Sequence, residues 1–226
     1  MLRTFQSEVA LQCRFILLGE AQLEQLDRDE EEALARGRKI YEDAKAKRDA
    51  AVEARDLDEV VRQQRRMREA WRPDSRDTTY RTWFALQGIL ASAANLSKLL
   101  WGSDDPRMTQ AKRDQREAER KALRDSLGVT DESPLKSRRV RNAFEHFDER
   151  LEDRLRDPTK RRVYIGRNIG GHSPEATSEE MFGHYFRDDG IVVFWDKSIS
   201  VPELVAAARN LLPVAESESR RFGGGG

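Results

Sequence analysis

Cysteine is nearly absent from this 226-residue chain: Cys13 stands alone, which excludes an internal disulfide and any metal cage built on thiolates. Histidine is scarce as well. His172 and His184 fall in loop or strand contexts with no cysteine partner and no helical histidine pair, so they read as structural and neither a metal nor a cofactor is expected. Net charge is missing too: 41 basic residues balance 41 acidic ones, so no whole-protein field draws the chain onto nucleic acid or an anionic membrane. Any nucleic-acid contact must use a local patch. Long hydrophobic runs are also lacking. The most apolar stretch, Trp83 to Trp101, is interrupted by Gln87, Asn95, Ser97 and Lys98 before it could span a bilayer. At the N-terminus, Arg3, Glu8, Arg14 and Glu20 leave no signal-peptide core. The expectation is a soluble, cytoplasmic protein with no membrane contact.

What is present is charge, 36% of residues against a hydrophobic share of 38%, and long exposed helices accommodate that balance best. The basic residues are 32 Arg and 9 Lys, a bias that suits phosphate binding and equally a codon bias. Phe5, Val9, Cys13 and Ile16 recur at helical steps and predict a first bundle helix over 1–26, with Cys13 in the core. Residues 27–75 read as a charged helical arm. Glu32 with Arg36 and Asp43 with Lys47 form supporting pairs four apart, and Asp56 with Glu59 is a start signal for a second helix. Residues 76–157 form the helical core, with starts at Thr78 or Thr79, at Asp104 or Asp105 before Pro106, and at Ser133 before Pro134. Stops fall at Gly102, Gly128 and Asp157-Pro158.

The last third changes character. Over 158–216 a small α+β extension is expected: a short strand at Val163 to Ile165, then a hairpin in which Tyr185-Phe186 and Ile191 to Trp195 flank Asp188-Asp189-Gly190. Ser200 with Glu203 makes a capping box for a final helix, and 217–226 reads as a disordered tail. The fold class is therefore mainly α (α+β): a helical bundle with a long charged helical arm, a small C-terminal antiparallel β hairpin and a final helix.

Chemistry concentrates on the helix predicted after Pro134. Val140, Ala143, Phe144, Phe147, Leu151 and Leu155 keep helical spacing and define one buried stripe. At about 100 degrees per residue, Asn142, Glu145, His146, Glu149 and Asp153 gather opposite that stripe, with Arg141 on its flank. Arg141 and His146 are about 7.5 Å apart in helix rise, so a long arginine side chain can fold back toward a phosphate held near the imidazole. Lys136, Arg138, Arg139, Arg150 and Arg154 surround the pair as candidate RNA-backbone contacts; Glu149, Glu152 and Asp153 compete for them. The same spacing recurs at Arg167-Asn168-Ile169-Gly170-Gly171-His172, where Gly170 and Gly171 oppose a helix and a loop is expected.

Arg141-Asn142-Ala143-Phe144-Glu145-His146 resembles the motif of the HEPN family, in which Arg, a polar residue often Asn, three further residues and His lie on a late helix of a helical bundle. The resemblance covers roughly 76–157 plus the first helix. It leaves the charged arm and the C-terminal sheet unexplained. It implies a metal-independent endoribonuclease of the bacterial toxin or phage-defence kind, with Arg141, Asn142 and His146 catalytic. His146, with a reference pKa of about 6.5, would serve as acid or base, Arg141 would hold the phosphate, and Asn142 would orient the phosphate or the histidine. It also implies RNA as substrate, a homodimer through the motif-helix face, and an antitoxin or other protein as partner. Two other readings stay open. One is a catalytically silent HEPN-like dimeric module that binds RNA, a nucleotide or a protein. The other is a helical scaffold using its charged arm, with Asn142 and His146 joined only by a local hydrogen bond.

Overall fold

The computed structural model describes residues 2–70, 75–102, 107–137, 152–153, 156, 164–170, 181–194 and 197–221. The order of elements is α1 (Leu2–Glu53), α2 (Leu57–Ala70), α3 (Ser75–Trp101), α4 (Gln110–Leu127), a 3₁₀ turn (Pro134–Lys136), β1 (Tyr164–Gly170), β2 (Met181–Phe186), β3 (Ile191–Phe194), β4 (Lys197–Ser200) and α5 (Val201–Arg221). The protein is mainly helical with a small sheet. Two compact units divide it, 21–83 and the remainder.

In the unit formed by 21–83, α1 continues where the apolar pattern had predicted an end near Leu26. Ion pairs four residues apart, Glu24 with Arg28, Glu32 with Arg36 and Asp43 with Lys47, line its solvated surface. Each contributes only a few tenths of a kcal/mol, about 0.3–0.5, but no proline interrupts the helix and the ladder continues to Glu53. There Arg55 takes a left-handed conformation (φ 60°) and the Asp56 amide bonds back to the Ala51 carbonyl at 2.9 Å, closing the helix. Asp56 then caps α2 as its spacing from Glu59 predicts, its carboxylate accepting from the Glu59 amide at 3.0 Å. Helix α2 turns back along α1, and Arg66 meets Asp43 at 3.2 Å. Gly37, Ala44 and Ala51 are buried at seven-residue intervals on α1, a run of small side chains that permits close approach of a second helix.

In the other unit, the start of α1 packs with α3, α4 and α5. Val9, Cys13 and Ile16 are fully buried, as are Leu86, Ile89, Leu96 and Leu100 of α3. Each large aliphatic side chain so buried is worth roughly 1.5–3 kcal/mol. Polar contacts fix the register. The Asn95 amide donates to Gln12 at 3.3 Å, Gln6 to Ser126 at 3.2 Å, and Arg14 pairs with Glu216 at 2.6 Å. A Cβ on Gly19 would stand 2.5 Å from Ile89 Cγ1, so α1 and α3 approach closely there.

Three helix starts differ from expectation: α3 already begins at Ser75, so Thr78 and Thr79 lie inside it and do not cap it. Residues 107–109 are not helical, and α4 begins at Gln110 with extended Thr109 as its N-cap and a Gln110-to-Asp114 side-chain bond of 2.8 Å in the first turn. Its stop is as predicted, at left-handed Gly128. The Ser133-Pro134 signal opens only a 3₁₀ turn, because Ser137 is extended (ψ 113°) and breaks the helical path.

The sheet has order β1-β2-β3-β4. The β2–β3 hairpin turns through Arg187–Gly190 where Asp188-Asp189-Gly190 predicted it, and β3 pairs antiparallel with β4. Strand β1 adds a parallel pairing with β2, Asn168 opposite His184. That corrects the loop expected at Arg167 to Gly170. Left-handed Gly190 (φ 64°) packs on Pro202, and its carbonyl accepts from the Val201 amide at 2.9 Å, tying the hairpin to the start of α5. The Ser200 hydroxyl caps that helix by accepting from the Glu203 amide at 3.3 Å. Helix α5 runs on to Arg221, so the tail expected from 217 is helical through that residue; Arg221 pairs with Glu218 and Arg220 with Glu216.

Candidate functional site

Arg141, Asn142 and His146 lie outside the described residues, as do Arg138, Arg139, Arg150 and Arg154, together with His172 of the second copy. The described residues nearest the motif are those of its two flanks. Beyond the motif, Glu152, Asp153 and Arg156 are helical, and Arg156 pairs with Glu152 at 3.0 Å across one turn.

Ahead of it, the 3₁₀ turn is held to the end of α3 by a polar lattice. The Trp101 indole N–H donates to Asp131 at 2.8 Å, and Lys136 meets the other carboxylate oxygen at 3.0 Å. These two partners, the indole foremost, hold the Asp131 carboxyl below the usual carboxylate range. Ser97 donates to the Lys136 carbonyl at 3.5 Å, and Leu135 is buried beneath. The Lys136 ammonium, expected to face RNA, is thereby engaged by Asp131. A cavity of about 460 Å³ opens beside this turn, lined by residues that include Leu127, Thr130, Ser133, Leu135, Asn210 and Leu211. Among the described residues its lining supplies hydroxyls and one amide over an apolar floor and no titratable side chain.

His184 on β2 is buried, 3.4 Å from the Gly170 carbonyl and tilted against the Phe186 ring at 4.3 Å, which fits a structural role. With Arg167 and Asn168 on strand β1, that second Arg-Asn-x3-His copy begins in strand and lacks the helical register the chemistry needs. Among the described residues, no three His, Cys, Asp or Glu side chains gather to hold a metal, and no helix is long and apolar enough to cross a membrane.

One feature of α4 went unread in the sequence. Lys112, Arg116, Arg120 and Arg124 follow at four-residue steps, a cationic column along one helix row. Arg124 is buried and satisfied: its guanidinium donates to the Leu100 carbonyl and to Glu117, both at 2.6 Å, and lies 5.8 Å from the Trp101 ring. Arg120 stacks on Phe5 at 4.1 Å. The i, i+4 repeat of like charge was the signal available. Compared with protein-family models, curated proteins and solved structures, the chain matches none.

Proposed function

We propose that this protein is a metal-independent endoribonuclease of HEPN type, acting on cellular RNA in the cytoplasm as a bacterial toxin or phage-defence effector. The reading rests on one observation: Arg141, Asn142 and His146 at their spacing, in a stretch of helical apolar periodicity. The helical residues at 152, 153 and 156 and the mainly helical fold are compatible with it.

The chemistry follows from the residue types. His146 removes the proton of a ribose 2'-hydroxyl, the 2' oxygen attacks the adjacent phosphorus, and the 5' oxygen leaves and takes up a proton. The products are a 2',3'-cyclic phosphate and a 5'-hydroxyl. Arg141 neutralises charge on the phosphorane through its planar fork, and Asn142 orients phosphate or imidazole. The nucleophile is internal to the substrate, so the step calls for no metal. Pairing of two motif helices across a homodimer would place two copies in one cleft, with Arg138, Arg139 and Arg150 on the RNA backbone.

The test is cleavage of labelled structured RNAs in EDTA by the purified protein and by folded Arg141→Ala and His146→Ala variants. Cleavage by wild type alone supports the proposal. Equal cleavage by all three places the activity elsewhere, and no cleavage of any RNA, with no effect of expression on cell growth, removes it.

A second reading, a silent module that docks a second copy or a partner protein, has its own support. Leu11, Phe15 and Leu18 of α1 and Phe84 of α3 are exposed on neighbouring helices, Leu18 by 63% and Phe84 by 70%. Large exposed apolar side chains at helical spacing, as at Leu11, Phe15 and Leu18, mark candidate interaction faces. Self-association that Leu18→Glu abolishes, in a protein that cuts no RNA, would favour this reading.

A further inference from the structure

The cationic column on α4 does not depend on the Arg141-to-His146 motif. Among arginines of this chain, ion pairing is a frequent outcome, as for Arg14, Arg36, Arg62 and Arg66. Arg116 and Arg120 depart from it. Neither makes an ion pair among the described residues. Arg120 is half-buried against Phe5, and its Nη1 is enclosed without a hydrogen-bond partner. The carboxylates on the same helix are engaged: Glu117 accepts from Arg124 at 2.6 Å and Glu119 from Gln115 at 3.1 Å. Arg116 lies along the end of α3, where a Cβ on Gly102 would be 3.7 Å from its Cδ.

A guanidinium held in place by stacking, with no acceptor among the described residues and a like charge one turn away, is costly, because desolvation and repulsion are only partly offset. Burial and the neighbouring Arg116 both weaken the charged form of Arg120, against a smaller pull from Glu119. A bound anion would relieve the repulsion between the two guanidinium groups. Two guanidinium groups at adjacent i, i+4 positions, about 5–6 Å apart at Cβ, suit a tetrahedral oxyanion with several acceptor oxygens, Arg120 meeting it through nitrogens other than the enclosed Nη1. Lys112, one turn further along the row, adds a third positive charge and favours a multiply charged ligand over a single carboxylate. We propose that Arg116 and Arg120 form a binding site for a phosphoryl oxyanion, carried either by a small phosphorylated molecule or by a nucleic-acid backbone.

The experiment uses the full chain and pyrophosphate as probe, followed by calorimetry at fixed ionic strength. Saturable binding is expected, weakened about tenfold or more by Arg116→Gln and by Arg120→Lys, which keeps charge but loses the fork. Arg36→Gln, which removes an ion pair with Glu32 on α1, should leave it unchanged. Circular dichroism verifies folding; Arg116→Gln, which removes no stacking on Phe5, keeps the test decisive if Arg120→Lys misfolds. Absence of saturable binding, or equal binding by wild type and Arg116→Gln, overturns the proposal. A single-stranded RNA arm separates the two sources. If backbone phosphate is the ligand, Arg116→Gln lowers the salt dependence of RNA affinity by about 0.7 in log–log slope; if a small phosphorylated molecule is, only pyrophosphate binding falls.

Discussion

Gly19→Ala and Gly88→Ala are the same chemical change in two helices of one bundle, and the packing predicts that only Gly88→Ala stabilises. Alanine in a helix interior is favoured over glycine by about 1 kcal/mol. At Gly88 of α3 nothing lies within 4 Å of an added Cβ, so Gly88→Ala should gain that amount in full. At Gly19 of α1 the Cβ would meet Ile89 Cγ1 at 2.5 Å and the Ala85 carbonyl at 3.2 Å. Ile89 is fully buried and has little room to yield, so overpacking should cost about 1–3 kcal/mol. After the propensity gain, Gly19→Ala should come out between neutral and about 2 kcal/mol destabilised, separating the two variants by about 1–3 kcal/mol. Urea unfolding followed by circular dichroism reads this as a midpoint raised only in Gly88→Ala, at constant slope. In thermal unfolding it amounts to about 2–4 °C per kcal/mol for a chain of this size. A Gly19→Ala protein stabilised as much as Gly88→Ala would refute the close approach of α1 and α3.

Cys13 is fully buried, and burial pushes its thiol up to about 12. It should resist a thiol reagent at pH 8 until the protein unfolds. Because the folded pKa is raised, the neutral thiol's contribution to stability is complete below the unfolded value. It is lost as pH climbs from about 9 toward 12, by no more than about 1.4 kcal/mol per pH unit. Urea midpoints measured against pH should lose that part of the alkaline decline in Cys13→Ala; an unchanged decline would contradict the assignment. Arg124→Ala should cost about 2–4 kcal/mol, since it leaves the Leu100 carbonyl without its donor and removes a buried cation from Glu117 and the Trp101 ring. Arg36→Ala, losing one exposed pair, should stay within about 0.5 kcal/mol of wild type. Chemical denaturation of both variants checks the contrast, and equal losses would contradict the burial argument.

Local chemistry was legible in the sequence where a few neighbouring residues decide the outcome. Asp56 capping at Glu59, Ser200 capping at Glu203, the stop at Gly128 and the turn at Asp188-Asp189-Gly190 are short-range bonds, and all four form. What was missed depends on partners distant in sequence or on weak effects summed over many turns. The pairing of β1 with β2 joins segments that no local pattern links, so Arg167 to Gly170 read as a loop. The continuation of α1 past Leu26 shares its apparent end with a fading apolar stripe, while weak pairs such as Glu24 with Arg28 line the helix beyond it. Pro134 after Ser133 specifies a turn start equally well for a 3₁₀ turn and an α-helix, and extended Ser137 decides between them. The candidate site was read from side-chain spacing alone, and Arg141, Asn142 and His146 fall outside the described residues. The Arg116 and Arg120 pair was visible as spacing, but its lack of ion-pair partners among the described residues emerges only once Glu117 is seen to serve Arg124.

The central claim is that the substrate's own 2'-hydroxyl attacks its phosphorus under the control of His146. Its most direct test is a matched pair of RNA strands, one all-ribose and one carrying a single 2'-deoxy sugar at the mapped cleavage nucleotide, incubated with the protein in EDTA. The account predicts cleavage of the all-ribose strand to a 2',3'-cyclic phosphate, none at the deoxy position, and none of either strand by His146→Ala. Cleavage at the deoxy nucleotide, or a 3'-hydroxyl end on the product, would contradict it.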